Sequence, residues 1–294
     1  MRFPSLVPIA MLALTVGLVS PAAADTVAEA AAEVEAELGG RVGVLLQQFG
    51  EAPAATYRAD ERFPMASTFK ALACGAALSK VDAGEQDLKT VIKYGSDDLV
   101  TYSPVTEKHV GVGMTLGDLC HATITLSDNT AGNLVLDSVG GPAGFTTFMG
   151  EIGDKVTRLD RWEPELNEAL PGDPRDTTTP RAVVATLERL LLGEVLSPAS
   201  RRQLEDWMIA DQVADKLIRA SLPKGWIIGD KTGAGERGSR SVVAIIRPPQ
   251  GKPWLTGIYL TGSDANMDER NNAVATVGAA IVQTIANAVG NARN

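Results

Sequence analysis

The sequence predicts an α/β protein of the α+β type with two lobes: an antiparallel five-stranded sheet flanked by the terminal helices, and an all-helical lobe. Three observations predict it. Element signals run helix, strands, a long helical stretch, strands, helix along the chain. The strands lack the crossover helices that parallel pairing requires, so they pair antiparallel. The helical stretch is long enough to bury a core of its own, while the terminal helices cover the sheet. The sheet lobe takes residues 25–62 and 211–294 and the helical lobe residues 63–210, with the cleft between them as the default place for a site.

Each element has a local reason. Asp25 caps a helix that runs to Leu38 and ends at Gly39-Gly40. Residues 42–49 and 55–58 read as a strand pair around a glycine-containing turn. Helical runs follow at 68–81 and 116–126, where Thr115 with Asp118 resembles a capping box with Asp in the Glu position. Thr179-Pro180 and Ser197-Pro198 are cap-plus-proline starts of further helices. Strands return at 226–229, 241–247 and 255–261, the last two separated by the turn Pro248-Pro249-Gln250-Gly251. A helix from Met267 to about Val289 closes the chain.

Composition narrows the function. The chain has 294 residues, 45% hydrophobic and 21% charged, which is globular and neither disordered nor fibrous. A formal charge of −9 lacks the basic footprint of a nucleic-acid binder. His109, His121, Cys74 and Cys120 offer no pair at metal-ligand spacing, so no metal or other cofactor is expected.

The N-terminus reads as an export signal. Arg2, an uncharged and mostly apolar run of 14 residues from 6 to 19, and the small residues Ala22-Ala23-Ala24 predict cleavage before Asp25. A membrane anchor is the alternative, but a span needs about 20 apolar residues. No later segment reads as long and apolar enough to cross a membrane. The expectation is a periplasmic or secreted protein, off the membrane once the signal is removed. With no heptads or pairing element, it is expected to be a monomer. In an oxidising compartment Cys74 and Cys120 either pair or remain two buried thiols. A bridge would close a loop of 46 residues and stabilise by about 4 kcal/mol in the chain-entropy model.

Four segments carry chemistry. Ser67-Thr68-Phe69-Lys70 opens a helix, so the hydroxyl and the amine share one face at i, i+3. A lysine removed from water can lose its proton and activate a serine. A second Ser-x-x-Lys, Ser221 to Lys224, holds a proline that interrupts the shared face. Ser127-Asp128-Asn129 follows an apolar helix and reads either as a cap-and-turn cluster or as a second serine beside an amide for substrate. Glu163 and Asn167 lie in a stretch from Arg161 to Asp176 with prolines at 164, 171 and 174, an Ω-loop pattern. They suit a general base and a water-orienting amide, and Arg161 with Asp176 can tie the loop's base. Lys231-Thr232-Gly233 continues the strand from Trp226, and its glycine lets a ligand approach the backbone. Arg240 opens the next strand, opposite Lys231-Thr232 if a short hairpin joins them.

Taken together, Ser-x-x-Lys, Ser-Asp-Asn, Glu-x-x-Leu-Asn and Lys-Thr-Gly, in that order at 67, 127, 163 and 231, resemble the class A serine β-lactamases over the whole chain after the signal. Tyr102 before Ser103-Pro104, the pair Cys74 and Cys120, the run from Gly235 to Arg240 and Met267-Asp268-Glu269-Arg270-Asn271 add to the likeness, with the disulfide-bearing penicillinase branch. The resemblance implies the fold shared with penicillin-binding proteins, a Cys74–Cys120 bridge, and hydrolysis of penicillins and some cephalosporins. It implies Ser67 as acylated nucleophile and the N–H groups of Ser67 and Ala234 as oxyanion hole. Lys70 and Glu163 are the two candidate acylation bases. Glu163 with Asn167 directs deacylation, and Ser127 protonates the leaving nitrogen. Lys231, Thr232 and Arg240 bind the substrate carboxylate, Asn129 and the Ala234 carbonyl bind the side-chain amide, and Tyr102 lines the mouth. Partners are then β-lactam antibiotics and clavulanate-type inhibitors, with antibiotic resistance as the consequence. Ala66 and Gly235 are not cysteine, which weakens a carbapenemase reading.

Rival functions separate on the same residues. A penicillin-binding peptidase lacks an effective deacylation base, against which Glu163 and Asn167 stand. A non-catalytic β-lactam sensor has no need of the full set Ser67, Lys70, Ser127, Glu163 and Lys231. A Ser-His-Asp hydrolase fails for want of a Gly-x-Ser-x-Gly elbow.

Overall fold

The computed structural model describes residues 21–291, with side chains from Thr26 onward. Among them are eight helices: α1 (Pro21–Leu38), α2 (Phe69–Asp82), α3 (Leu116–Thr125), α4 (Asn129–Ser138), α5 (Gly141–Glu151), α6 (Pro180–Leu191), α7 (Pro198–Ile209) and α8 (Met267–Asn291). The strands are β1 (Arg41–Gln48), β2 (Pro53–Tyr57), β3 (Phe63–Pro64), β4 (Val91–Ile92), β5 (Met114–Thr115), β6 (Thr177–Thr178), β7 (Ile227–Ala234), β8 (Arg240–Arg247) and β9 (Trp254–Thr261). Five of them form one antiparallel sheet in the order β2-β1-β9-β8-β7. The short pairs β3–β6 and β4–β5 lie apart from it.

The sheet divides two cores, and the period-2 alternation of its strands says why. Val242, Ala244 and Ile246 of β8 face α1 and α8, joining Val42, Val44 and Leu46 of β1. Val243 and Ile245 face the opposite way, into a core with Leu72, Phe145, Leu187 and Trp207 of the helices. Phe69 and Phe145 meet edge-on there, with centroids 6.3 Å apart. At Gly43 the ring of Phe63 lies where a side chain would go, 2.3 Å from an ideal Cβ.

Local chemistry starts the helices as the sequence indicates. Thr179 and Ser197 accept from the amides of Ala182 and Ser200 at 3.1 and 3.2 Å, each with proline at the first helical position. Thr115 accepts from the Asp118 amide at 3.1 Å, but the Asp118 carboxylate is too short to reach back to the backbone and accepts from the Thr115 hydroxyl instead, at 2.6 Å.

Two expectations change. The export signal expected at 1–24 lies outside the described residues up to residue 20. Residues 21–24 are the first turn of α1, which starts at Pro21 and not at an Asp25 cap. Alanine is the best helix former and proline fits the first turn, so the run extends backward. Second, α8 is long and apolar enough by length and composition to cross a membrane. It lies along the sheet instead, burying Val274, Val277, Ile281 and Ile285 at helical spacing. Cys74 on α2 and Cys120 on α3 are both buried, as thiols within hydrogen-bonding reach of each other. Burial pushes the Cys74 thiol well up, which keeps it protonated and unreactive in this form.

Candidate active site

Ser67 sits in a 3-10 turn, Ala66–Thr68, that leads straight into α2. Lys70 follows one turn later and is fully buried. Its ammonium donates to Asn129 Oδ1 at 2.6 Å and to the Ser127 carbonyl at 2.9 Å, and pairs with Glu163 Oε1 at 3.1 Å. The same Glu163 oxygen accepts from Ser67 Oγ at 3.4 Å. Burial holds Lys70 below the usual lysine range, with Glu163 the main influence against it. Its proton is therefore easier to move than that of a solvated lysine.

The Ser127-Asp128-Asn129 segment divides its work. Asp128 is the N-cap of α4, accepting from Ala131 N at 2.8 Å, and also takes the Val105 and Thr106 amides at 2.9 Å each. Its neighbours are thereby fixed in the site. Ser127 has a left-handed backbone, φ 58°, and its hydroxyl accepts from both Lys70 and Lys231, at 3.5 and 3.3 Å. The Asn129 amide, read as a ligand for substrate, already serves Lys70 through its oxygen and the Thr101 carbonyl through its nitrogen. Tyr102, 55% exposed, accepts the Asn129 backbone N–H at 2.9 Å.

β7 brings Lys231, Thr232, Gly233 and Ala234 alongside the Ser67 turn. Gly233 makes that approach possible: an added Cβ would lie 2.5 Å from Ser241 Oγ and 2.9 Å from the Met65 carbonyl. The neighbours on its Cβ side are the Ser67 turn and Ser241 of β8. Arg240 pairs across the hairpin with Ala234, two residues beyond the expected Lys231-Thr232. Its guanidinium reaches back to the Gly233 carbonyl at 2.9 Å and is held by Asn271 Oδ1 at 2.8 Å. Burial pushes Lys231 down to about 8 and Arg240 down to about 10.

The Ω-loop presents Glu163 from the other side. Asn133 of α4 grips its backbone twice, accepting from Glu163 N at 2.9 Å and donating to Glu163 O at 3.0 Å. Asn167 donates to Glu163 Oε2, and the Asn167 carbonyl accepts from Glu236 N at 3.0 Å, tying the loop to the end of β7. The base of the loop is closed by Asp176, which takes Arg161 Nε at 2.6 Å, Asp160 N at 2.7 Å and Arg161 N at 3.0 Å. The Asp176 carbonyl then accepts from Met65 N at 3.0 Å, next to the Ser67 turn.

All four segments thus converge. The second Ser-x-x-Lys does not join them: Ser221 ends a 3-10 turn and Lys224 is exposed. His109 and His121 are exposed as well. Sequence reasoning missed Asn133, Asp211 and the role of Asn271. Asn133 lies one helical turn after Asn129, a spacing that puts both on one face. Nothing local marks Asp211.

The model of the beta-lactamase enzyme family matches residues 26–285. The chain belongs to that family. A solved ancestral class A β-lactamase is 55% identical, covers 87% of this chain and 99% of its own, and superposes with a TM-score of 0.85. The putative class A β-lactamase PenP from Rhodopseudomonas palustris is 50% identical, with 88% and 99% covered and a TM-score of 0.86. A double mutant of the last common ancestor of Gram-negative bacteria class A β-lactamase, bound to the transition-state analogue 5(6)-nitrobenzotriazole, is 55% identical, with 88% and 99% covered and a TM-score of 0.86. This β-lactamase is therefore a class A serine enzyme, and its eight helices and five-stranded sheet are the fold of that class.

Proposed function

We propose that this enzyme hydrolyses penicillins and some cephalosporins through an acyl-enzyme on Ser67, with deacylation by a water that Glu163 activates. One observation carries the reading. A single oxygen of Glu163 lies within reach of both the Ser67 hydroxyl and the Lys70 ammonium, at 3.4 and 3.1 Å, while Asn167 holds the other.

In acylation the Glu163 carboxylate first accepts a proton from the Lys70 ammonium beside it, the Lys70 amine takes the Ser67 proton, and Oγ attacks the lactam carbonyl carbon. The Ser67 and Ala234 N–H groups receive the oxyanion; such donors contribute about 3–4 kcal/mol each at a transition state. The C–N bond breaks as Ser127 gives its proton to the nitrogen, the Lys70 ammonium beside it restores that proton, and Glu163 returns its own to the Lys70 amine, so that it is a carboxylate again before deacylation. In deacylation Glu163 takes a proton from water, hydroxide adds to the ester carbonyl, and Ser67 leaves reprotonated. Lys231, Thr232 and Arg240 hold the substrate carboxylate, so the site is cationic inside an acidic protein. Asn129 and the Ala234 carbonyl take the side-chain amide once substrate displaces the present contacts of Asn129, and Tyr102 borders the entrance.

The same reading carries the rest of the biology. Export follows from the pattern at residues 1–24 and places a monomer in the periplasm or outside the cell. There the neighbouring Cys74 and Cys120 close a disulfide, and β-lactam hydrolysis confers resistance. Clavulanate-type molecules acylate Ser67 as substrates do. The lobe division at 25–62 with 211–294 and 63–210 leaves Ser67 and Lys231 on opposite sides of the cleft. Turnover of a chromogenic cephalosporin and a penicillin tests the reading. Ser67→Ala should abolish it with far-UV circular dichroism unchanged, and retained turnover would mean another nucleophile.

A further inference from the structure

Lys231 and Arg240 are buried cations, 0% and 7% exposed. Burying a charge is costly without an opposing one. Yet neither forms an ion pair among the described residues. Lys231 donates to Ser127 Oγ and the Thr232 carbonyl, and Arg240 to Asn271 Oδ1 and the Gly233 carbonyl. The nearby carboxylates are mostly taken: Asp230 by Arg219 at 2.7 Å and Glu163 by Lys70 at 3.1 Å.

Asp211 is the exception. It follows α7, whose end packs on β7 so closely that a Cβ at Gly229 would lie 3.2 Å from Met208 Cβ. Gln212 N donates to the Thr125 carbonyl at 2.9 Å, which pins the segment two residues from Ser127. Asp211 is 4% exposed. Its Oδ1 accepts from Val213 N at 2.7 Å, while its Oδ2 is buried with no hydrogen-bond partner among the described residues. An unpartnered buried carboxylate oxygen is destabilising unless charge compensates it. The charges facing it are the cations Lys231, Arg219 and Arg240, with Asp230 the like charge.

We propose that Asp211 is a positioning residue of the reaction: the buried anion that keeps Lys231 charged and holds Lys231 and Arg240 toward the substrate carboxylate. The inference rests on the reading of those two cations as the carboxylate anchors. Lys231 faces Asp211, Lys70, Asp230 and Arg240, with the Cys74 thiol further off. Asp211 is the strongest of the opposing charges, acting against the burial that brings Lys231 down to about 8. Arg240 faces Asp211 and Arg270, and Asp211 is again the opposing charge. Burial raises the Asp211 carboxyl, and the three cations around it pull the other way. The sign follows. Removing the anion lowers Lys231 further, so its ammonium is lost below pH 8.

The test compares wild type with Asp211→Asn on a penicillin and on its methyl ester between pH 6 and 9. With Lys231 one pKa unit lower, its charged fraction at pH 8 falls from about a half to about a tenth, so KM for the acid should rise about fivefold at pH 8 and hardly at pH 6. The alkaline limb of kcat/KM should move to lower pH, with kcat less affected and the ester indifferent. An unmoved alkaline limb, or an equal loss on acid and ester, would overturn the proposal. Asp211→Ser, which keeps an acceptor for Val213 N, gives the same readout if the Asn variant does not fold. The wild type supplies a third check: the carboxyl carbon-13 shift of Asp211 should report an ionised group at pH 7.5, and a neutral group up to pH 8.5 would overturn the proposal without any variant. Absence of wild-type turnover would remove the functional reading itself. Wild-type turnover with an unmoved Asp211→Asn profile removes this inference alone.

Discussion

Asp176→Asn probes the link between the base of the Ω-loop and deacylation. Asp176 is 1% exposed at its side chain and accepts from Arg161 Nε and two backbone amides, at 2.6, 2.7 and 3.0 Å. Asparagine keeps one oxygen for the amides but turns a donor toward Arg161, so one charge-assisted hydrogen bond is lost and two donors oppose. A hydrogen bond to a charged group contributes about 1.5–3 kcal/mol. Arg161 is 17% exposed and retains Glu168, so the cost stays below the 3–5 kcal/mol of a fully buried broken pair. About 2–3 kcal/mol is expected, or a fall in Tm of roughly 4–12 °C for a domain of this size. The Asp176 carbonyl still accepts Met65 N, so the Ser67 turn should hold and acylation should be nearly normal. Deacylation should slow, because Glu163 and Asn167 ride on the loosened loop. Thermal unfolding gives the first quantity, and pre-steady-state bursts with a penicillin separate the two steps. A lowered Tm with unchanged deacylation would refute the coupling, and an unchanged Tm would refute the energetic role of the pair.

Two further variants address the other walls of the site. Gly233→Ala forces β7 away from the Ser67 turn, since its Cβ would lie 2.9 Å from the Met65 carbonyl. The Ala234 N–H then leaves the oxyanion position, and kcat should fall about 10²–10³-fold; wild-type kcat would show that the strand is not set by this contact. Arg240→Ser removes a guanidinium that Asn271 and the Gly233 carbonyl aim, and KM for penicillins should rise roughly 10- to 150-fold while the methyl ester is spared. An equal loss on both forms would mean a structural role.

Much of this site is legible in the sequence because its parts are local. Ser67 and Lys70 share a helix face, the Lys231–Ala234 segment is a strand edge, and Arg161 with Asp176 brackets a proline-marked loop. What escapes depends on packing between distant segments. Asp211 matters only because α7 lies on β7. The turn beside Gly233 comes more than 160 residues earlier, so the need for a glycine on that side is set by chain packing that no local pattern shows. Arg240 lies two residues beyond its expected partners Lys231-Thr232 because the loop from 235 to 239 fixes the register. In α8 the hydropathy of a core helix and that of a membrane span coincide, and only its placement on the sheet separates them.

The central claim is that Ser67 and Glu163 divide the reaction, one forming the acyl-enzyme and the other breaking it down. Intact-protein mass spectrometry of Glu163→Gln mixed with a penicillin tests it most directly. The amide keeps the loop's size and its contact with Asn167 but cannot take a proton from water. The account predicts a persistent adduct of the mass of the intact penicillin, located on Ser67 by peptide mapping. Return to free enzyme at the wild-type rate would contradict it.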